Sequence, residues 1–158
     1  MYKYTICFIQ RGDQILLLNR EKAPWMGNWN GVGGKIEPGE VLIDSIQREI
    51  TEETGIPSED YEIRDIGEMI WFVNEEYLGG MHLFFAKLPD DYDYPTPRAM
   101  EEGILDFKQC DWIFDQENTG VVSYLSYIFQ HVQNDSERIK ITTKYHGTTL
   151  LHISHESL

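Results

Sequence analysis

The sequence predicts an α+β sandwich, in which a few helices pack on a β-sheet. Most apolar runs have the length of strands and are bounded by glycine, proline or charged residues, whereas only two segments show a clear helical period. Strands and helices do not alternate regularly, as they would in a doubly wound parallel sheet. The chain has 158 residues, of which 41% are hydrophobic, and this is enough for one sizeable core. We therefore expect a single domain over residues 1–158.

The N-terminal segments predict a hairpin followed by a long loop. The apolar runs "YTICFI" at 4–9 and "QILLLN" at 14–19 flank a short polar stretch, which is typical of a β-hairpin. Residues 22–30 are rich in proline, glycine and tryptophan, and residues 31–40 continue with glycines and a proline that no regular element favours. Both segments are therefore predicted to be loop.

Two helices are predicted in the rest of the chain. Residues 41–54 have a helical pattern that ends at Gly55, a suitable C-cap, with Pro57 just beyond it. The apolar period of residues 119–132 predicts a second helix that faces the core. The other predicted elements are strands at 61–73, 80–88 and near 104–110, a polar loop at 89–98 and a closing hairpin at 138–153.

Composition limits the partners that the protein can have. The net charge of −14 argues against binding duplex nucleic acid, because such binding needs lysine and arginine to displace counterions from phosphates. An acidic protein can still bind a small phosphate compound when divalent metal ions lie between its carboxylates and the phosphates. The first residues lack an apolar run long enough for a signal peptide or a membrane span, so we expect a cytoplasmic protein with no membrane partner. Cys7 and Cys110 lack metal-ligand spacing and are expected to be reduced. No pattern indicates an oligomeric state.

The first predicted helix carries a cluster of glutamates on one side. Glu49, Glu52 and Glu53 are spaced i, i+3 and i+4, so they project from neighbouring positions. An adjacent apolar stripe, which can anchor the helix on a sheet, consists of Ile43, Ile46 and Ile50. Like charges at this spacing destabilise an isolated helix, whereas a hard cation such as Mg²⁺ or Mn²⁺ would be bound by the same carboxylates. The alternative is an ordinary solvated acidic face.

The surrounding residues favour the metal-binding interpretation. They fill the pattern G-x5-E-x7-R-E-U-x-E-E-x-G-U, where U is aliphatic, with Gly34, Glu40, Arg48, Glu49, Ile50, Glu52, Glu53, Gly55 and Ile56. This pattern resembles the box of the Nudix hydrolases. The resemblance implies an α/β/α sandwich with a mixed sheet, a loop-helix-loop catalytic box, and hydrolysis of a nucleoside diphosphate linked to another group with Mg²⁺ or Mn²⁺ as cofactor.

The resemblance also assigns roles to individual residues. Glu49, Glu52 and Glu53 would bind the metal, together with the backbone carbonyl of Gly33. Arg48 would orient the glutamates through charge-assisted contacts, and Glu40 would belong to the same network. Glu102, before Gly103, resembles the extra glutamate that the family places on a loop outside the box as a further metal ligand or general base, and Glu101 could take its place. A solvated loop glutamate is the alternative for both.

Segments outside the box resemble the MutT-type 8-oxo-dGTP diphosphatases. These segments are "YTICFI", "WNGVGGKIEPGE" and "MHLFFAKL". The resemblance implies that Asn30 faces the purine base, that Thr5 lies in the same pocket, and that Gly34 and Lys35 belong to the substrate-binding residues. An amide suits a base edge because it offers both a donor and an acceptor. The alternative for Asn30 is an ordinary loop asparagine.

A second asparagine leaves two interpretations open. Asn118 resembles the asparagine that reads oxidised guanine in bacterial MutT, although Gly120 replaces the proline of that segment. Asn118 or Thr119 could instead cap the second predicted helix, a role that both residue types fill well. The mammalian enzymes use paired aspartates near this region, whereas the segment "FDQEN" contains no adjacent Asp-Asp pair.

The sequence therefore predicts a metal-dependent pyrophosphohydrolase of nucleoside triphosphates. The favoured substrate is 8-oxo-dGTP, converted to 8-oxo-dGMP and pyrophosphate, which would serve nucleotide-pool sanitation. One alternative is the same chemistry on an RNA 5′ end, a nucleotide sugar or a pterin triphosphate. The other is a noncatalytic Nudix domain that binds a nucleotide as a sensor.

Overall fold

The computed structural model describes residues 2–132 and 137–158. Within these residues the elements are β1 Tyr4–Arg11, β2 Gln14–Arg20, β3 Trp29–Asn30, β4 Val32–Lys35, α1 Leu42–Thr54, β5 Glu62–Val73, β6 Glu76–Leu88, β7 Arg98–Met100, β8 Gly103–Gln109, α2 Cys110–Ile113, α3 Leu125–His131, β9 Ile139–His146 and β10 Thr149–Ser157. None of the helices in this part of the chain is long and apolar enough to cross a membrane.

The strands form one mixed sheet. Their order is β10-β9-β5-β6-β1-β2-β8-β7, with the short strands β3 and β4 added beside β2 and β1. β1 runs parallel to β6 and β5 runs parallel to β9, whereas the other pairs are antiparallel. The predicted first hairpin and closing hairpin are both confirmed, because β1 pairs with β2 and β9 pairs with β10.

Helices cover both faces of this sheet. Successive side chains of a strand point to opposite faces, and on β1 the side chains of Ile6 and Phe8 join one apolar cluster while those of Cys7 and Ile9 join another. The first cluster includes Ile113 of α2 and Ile128 of α3. The second cluster includes residues of α1. The predicted α+β sandwich is confirmed. In the structure α1 lies on one face of the sheet, and α2 and α3 lie on the other. Cys7 and Cys110 are both free thiols.

Two local predictions are wrong, and backbone pairing explains both. Residues 22–30 and 31–40 were both predicted to be loop, yet β3 pairs with β2, and β4 pairs with β1 in spite of its two glycines. The second helix was predicted from residue 119, but it begins only at Leu125. Before it, the Trp29 amide donates to the Gly120 carbonyl at 2.7 Å, and the Val122 amide donates to the Trp29 carbonyl at 3.0 Å. The backbone groups of residues 120–122 therefore form hydrogen bonds to β3, and they are not available for the bonds of a helix.

The helix α1 follows its prediction in length but not in every inward residue. It ends at Gly55, whose φ of 75° is the left-handed conformation that favours glycine at this position. Ile46 and Ile50 are fully buried, whereas Ile43 is 39% exposed, so the predicted apolar stripe is wrong at its first member. Leu42 packs against the core in its place. The buried stripe also contains two glutamates, which brings charged groups into the sheet-facing side of the helix.

Candidate active site

Arg48 is the centre of an ion-pair network on α1. Its Nε and Nη2 donate to the two carboxylate oxygens of Glu40 at 2.8 and 2.9 Å. Its Nη1 donates to Glu49 at 3.1 Å and to Glu52 at 3.2 Å, and its Nη2 also donates to the Lys35 carbonyl at 3.2 Å. One guanidinium group thus joins both ends of the acidic segment. The charge-assisted pair with Arg48, together with the Glu37 amide, lowers the pKa of Glu40 to about 2.

The three glutamates of α1 lie in different environments. Glu49 and Glu53 are 9% and 6% exposed, whereas the Glu52 side chain is 59% exposed. One oxygen of Glu53, Oε2, accepts a hydrogen bond from the Gly33 amide at 3.1 Å. The other oxygen, Oε1, is buried and has no hydrogen-bond partner. Burial of an unpartnered carboxylate oxygen is costly unless a ligand satisfies it.

The pKa of each buried glutamate reflects this environment. Burial, followed by the nearby carboxyl groups of Glu102 and Glu49, raises the pKa of Glu53 to about 9, and the Gly33 amide only partly opposes the shift. Burial also raises the pKa of Glu49, against the opposing effect of Arg48. Without a cation nearby, the Glu53 carboxyl group therefore holds its proton more tightly than an ordinary glutamate does.

Two glycines allow β4 to lie between β1 and these carboxylates. A Cβ atom on Gly33 would overlap the backbone of Thr5, and a Cβ atom on Gly34 would overlap the Glu49 carboxylate. The strand could not approach either neighbour with a larger residue. The Thr5 hydroxyl donates to the Gly34 carbonyl at 3.4 Å, so Thr5 lies directly against β4. The Lys35 side chain is exposed.

Glu102 reaches the site from a different part of the chain. It lies in the turn between β7 and β8, and its carbonyl accepts a hydrogen bond from the Glu21 amide at 3.1 Å. Its carboxyl group is close enough to Glu53 to raise the pKa of that residue. Glu101 and Glu102 also border a cleft of about 280 Å³, whose other lining residues are Arg20, Glu21 and Lys22. Of the two glutamates in this turn, Glu102 rather than Glu101 raises the pKa of Glu53.

The donor set fits a hard divalent cation. Carboxylate oxygens are the ligands that Mg²⁺ and Mn²⁺ prefer, and the unpartnered Oε1 of Glu53 supplies one in a buried position. In the observed conformation Arg48 holds Glu49 and Glu52. Within the described residues, no three acidic, histidine or cysteine side chains are arranged together as a complete metal-binding group. A cation that binds Glu49 and Glu52 would compete with Arg48 for their carboxylates.

The side chain of Asn30, in strand β3, is buried. It is 7% exposed, and its Nδ2 donates to the Tyr124 hydroxyl at 2.7 Å. Its Oδ1 accepts from the Gly31 amide at 2.8 Å. The ring of Trp25 packs edge-on against Tyr124, with 6.2 Å between the centroids. Asn30 is therefore part of the packed interior and has more partners than an ordinary loop asparagine.

The structure excludes one of the two interpretations of Asn118. Its side chain cannot cap α3, because the N-cap of that helix is Tyr124. Instead, Asn118 Oδ1 accepts from the Gly120 amide at 2.9 Å, and Nδ2 donates to the Trp112 carbonyl at 2.7 Å. These bonds stabilise the turn that connects α2 to the segment beside β3. The base-reading role of Asn118 stays a prediction.

The segment that contains this site matches a known protein family. Residues 3–113 match the family model of the NUDIX domain. The chain belongs to the Nudix family. The Nudix match includes the whole of α1, the preceding glycines and Glu102.

Known Nudix proteins resemble the chain over most of its length. It is 31% identical to the oxidized purine nucleoside triphosphate hydrolase of Mus musculus over 111 residues, which are 70% of this chain and 67% of the mouse protein. It is 30% identical to YvcI, an uncharacterized Nudix hydrolase of Bacillus subtilis, over 66% of this chain and 64% of that protein. The crystal structure of the mutator MutT protein from Bacillus halodurans superposes with a TM-score of 0.73 and 27% identity over 99% of this chain and 98% of that one.

Membership in the family establishes the fold and the general reaction. The protein has the Nudix fold and is a Nudix hydrolase, an enzyme that acts on nucleotide pyrophosphate bonds. Nudix enzymes generally use divalent metal cations and act on small nucleotide substrates.

Sequence reasoning missed Tyr124, the buried partner of Asn30. The two residues are 94 positions apart, and Tyr124 lies in a segment whose apolar period indicated only a core-facing helix. A buried tyrosine hydroxyl needs a hydrogen-bond partner, but the sequence does not show which one. Arg20, the last residue of β2, and Lys22 line the cleft beside Glu102 and were also missed, although Lys and Arg are outnumbered by Asp and Glu in this chain.

Proposed function

We propose that this Nudix hydrolase converts an oxidised purine deoxynucleoside triphosphate, most simply 8-oxo-dGTP, to the monophosphate and pyrophosphate, with Mg²⁺ or Mn²⁺ as cofactor. The observation that carries the choice of substrate is the 31% identity, over 70% of the chain, to a protein named for hydrolysing oxidised purine nucleoside triphosphates. The buried Asn30 amide supports it, because such a group can bind a base edge. In this proposal the protein is a single domain that acts in the cytoplasm and serves nucleotide-pool sanitation.

The acidic residues have separate tasks in this proposal. Glu49, Glu52, Glu53 and the Gly33 carbonyl would hold the cation, and Glu102 would serve as a further ligand or as the general base. A bound divalent cation would neutralise the polyphosphate and lower the pKa of an attacking water molecule. Arg48 holds Glu40 and two of the carboxylates through the contacts described above, and would keep them in place while substrate binds.

The remaining predicted residues would contact substrate. Asn30 would bind the base, with Thr5 and Asn118 beside it, and Gly34 and Lys35 would lie along the phosphates. Asn118 is on the loop whose Gly120 carbonyl bonds to Trp29, the neighbour of Asn30, which supports a place near the base. Its amide would have to exchange at least one of its two backbone partners for the base.

The experiment that tests the substrate is a panel of nucleotides with Mg²⁺. We expect kcat/KM to be highest for an oxidised purine triphosphate and low for pyrimidine triphosphates. Hydrolysis in ¹⁸O-labelled water then identifies the bond that breaks, and we expect pyrophosphate rather than orthophosphate as the inorganic product. A primary yield of nucleoside diphosphate and orthophosphate would refute the proposed point of attack. A preference for a nucleotide sugar, a pterin triphosphate or a triphosphorylated RNA end would replace the proposed substrate.

Two alternatives receive less support from the structure. An RNA 5′ end would bring many phosphates to a chain with a net charge of −14, which disfavours binding. A noncatalytic sensor would not need the buried Glu53 oxygen that lacks a partner. Absence of turnover on every substrate, together with measurable nucleotide binding, would favour the sensor.

A further inference from the structure

The Asn30 side chain has a partner at each end of its amide. The Gly31 amide donates to Oδ1 at 2.8 Å, and Nδ2 donates to the Tyr124 hydroxyl at 2.7 Å. Both side chains are buried, with 7% of Asn30 and 3% of Tyr124 exposed. The ring of Trp25 lies against Tyr124 and helps to exclude water from this pair.

These two bonds permit only one orientation of the amide. A backbone N–H can only donate, so Gly31 must face the oxygen of the amide and not its NH₂ group. Gly31 cannot shift easily, because a Cβ at this position would lie 2.6 Å from the Cys7 carbonyl oxygen, which shows how closely the backbone packs. A tyrosine hydroxyl can donate or accept, and here it accepts because Nδ2 is the atom that faces it. Rotating the amide by 180° would set two donors against each other at Gly31.

We propose that Tyr124 is a positioning residue that holds the Asn30 amide in one orientation and thereby sets which purine edge the enzyme accepts. The proposal rests on the proposed function, in which Asn30 binds the base. After these two bonds, the amide still has one N–H and one lone pair for a ligand, in a fixed order. A 6-oxo purine presents an acceptor at C6 and a donor at N1, whereas a 6-amino purine presents a donor at C6 and an acceptor at N1. An amide that cannot rotate matches only one of these two edges well.

The test removes the hydroxyl and measures the preference between the two edges. Tyr124→Phe keeps the ring and its packing against Trp25. We expect the ratio of kcat/KM for 8-oxo-dGTP to that for 8-oxo-dATP to lie well away from one in the wild type. In Tyr124→Phe we expect this ratio to move toward one by about fivefold or more, mainly through KM, because the amide loses one of the two bonds that fix its orientation and is then held only by the Gly31 amide. Thermal unfolding of each variant corrects the rates for the folded fraction.

The matched control is Tyr145→Phe. Tyr145 is also a buried tyrosine, but its hydroxyl lies 3.3 Å from Ser123 Oγ and does not contact Asn30. We expect Tyr145→Phe to lose stability to a similar degree and to keep the wild-type ratio. A purely structural role for Tyr124 would lower both rates by the same factor and leave the ratio unchanged, as in this control.

A double-mutant cycle shows whether Tyr124 acts through Asn30. Asn30→Ala should abolish the preference, and adding Tyr124→Phe to it should not change the ratio further. If Asn30→Ala changes the ratio but Tyr124→Phe does not, the positioning role is overturned while base binding by Asn30 stands. If neither variant changes the ratio, or the wild-type ratio is already near one, both the positioning role and the reading of the base by Asn30 are overturned. A wild-type enzyme that hydrolyses neither triphosphate would reject the proposed function itself.

Discussion

The Glu53 carboxyl group lies where a negative charge is costly. One oxygen is held by the Gly33 amide, the other is buried without a partner, and the carboxyl groups of Glu49 and Glu102 are nearby. A metal-free protein relieves this cost by protonating the group, since its pKa is raised to about 9. A bound cation would relieve it by neutralising the charge. Residues that are costly in the free protein and useful with a ligand are typical of active sites.

We predict that Glu53→Gln separates activity from stability. Glutamine keeps the shape of glutamate and can still accept the hydrogen bond from Gly33, but it is a poor ligand for Mg²⁺. Turnover with Mg²⁺ should fall by at least about a hundredfold, because the cation would lose a buried ligand. The thermal midpoint without metal should stay equal or rise, because glutamine is neutral and so never carries the buried charge that raises the pKa of Glu53. Glu76→Gln, at the exposed start of strand β6, is the control and should change neither quantity. Wild-type turnover in Glu53→Gln would remove Glu53 from the proposed ligands.

We predict that Glu40 stabilises the fold and that this stabilisation is lost in acid. Its folded-state pKa of about 2 is below that of an unfolded chain, so ionised Glu40 stabilises the fold at neutral pH. This stabilisation is present above about pH 4.5 and is lost as the pH falls toward about 2. Glu40→Gln should therefore unfold more easily than the wild type at pH 7, and the difference should shrink steadily below about pH 4.5. Urea unfolding at a series of pH values measures this difference.

The matched control for this series is Glu37→Gln. The Glu37 carboxylate lies 3.9 Å from Arg48 and its side chain is 66% exposed, so its interaction with Arg48 is weak. We expect Glu37→Gln to behave like the wild type at every pH. A difference for Glu40→Gln that stays constant down to pH 2 would show that the lost interaction does not depend on the charge of Glu40.

At the scale of elements, the sequence predicts those helices and strands whose bounds depend on local residue patterns. The helix α1 could be predicted to within a residue, since Gly55 ends it and the period of Ile46 and Ile50 is unambiguous. The strand β4 could not, because its glycines are unfavourable in isolation and form a strand only through pairing with β1. The start of α3 could not be predicted either, because residues 120–122 bond to β3, far away in the sequence.

In the candidate site, too, local features could be predicted from the sequence, whereas contacts between distant residues could not. The carboxylates of α1 and their spacing are local and were readable from the sequence, as was Glu102 through its resemblance to the family. The contact between Asn30 and Tyr124, and the closeness of Glu102 to Glu53, depend on how segments that are distant in the sequence come together around the sheet. Sequence patterns give residue types and spacing, whereas these contacts depend on topology.

We predict that the two glycines of β4 have different functions. Gly33→Ala would drive a Cβ into the backbone of Thr5, which cannot move without breaking the pairing of β1. It should lower the free energy of unfolding by about 1 to 3 kcal/mol. Gly34→Ala would instead meet the Glu49 carboxylate, which is the end of a flexible side chain. It should cost less stability but lower kcat/KM about tenfold or more, because Glu49 is displaced.

Urea unfolding and steady-state kinetics on both variants test this division. Gly12→Ala serves as a control for backbone conformation, since Gly12 has a φ of 58° and an open surrounding. It should cost about 1 kcal/mol through strain alone and leave the activity of the folded fraction intact. Equal losses of activity in Gly33→Ala and Gly34→Ala, after correction for folding, would show that the division between the two glycines is wrong.

At the scale of the whole molecule, the sheet brings distant parts of a strongly acidic chain to one place. β4 carries the glycines, α1 carries the glutamates, and the turn before β8 carries Glu102. The net charge of −14 makes this assembly self-repelling, and the repulsion is strongest where carboxylates are buried together. Divalent cations should therefore affect stability in two ways, by general screening of the surface and by binding at α1.

We predict that Mg²⁺ raises the thermal midpoint by more than screening accounts for. A ligand that binds only the folded state adds RT ln(1 + [L]/Kd), which is about 1.4 kcal/mol at ten times Kd, and this corresponds to roughly 3 to 6 °C for a domain of this size. The measurement compares MgCl₂ with NaCl at equal ionic strength, because NaCl screens the net charge without binding carboxylates specifically. In Glu53→Gln the extra increase should shrink, while the increase in NaCl should be the same as in the wild type. If the two salts raise the wild-type midpoint equally, or if Glu53→Gln responds to Mg²⁺ as the wild type does, the divalent cation does not bind at Glu53, and the stabilisation comes only from the charge of the whole surface.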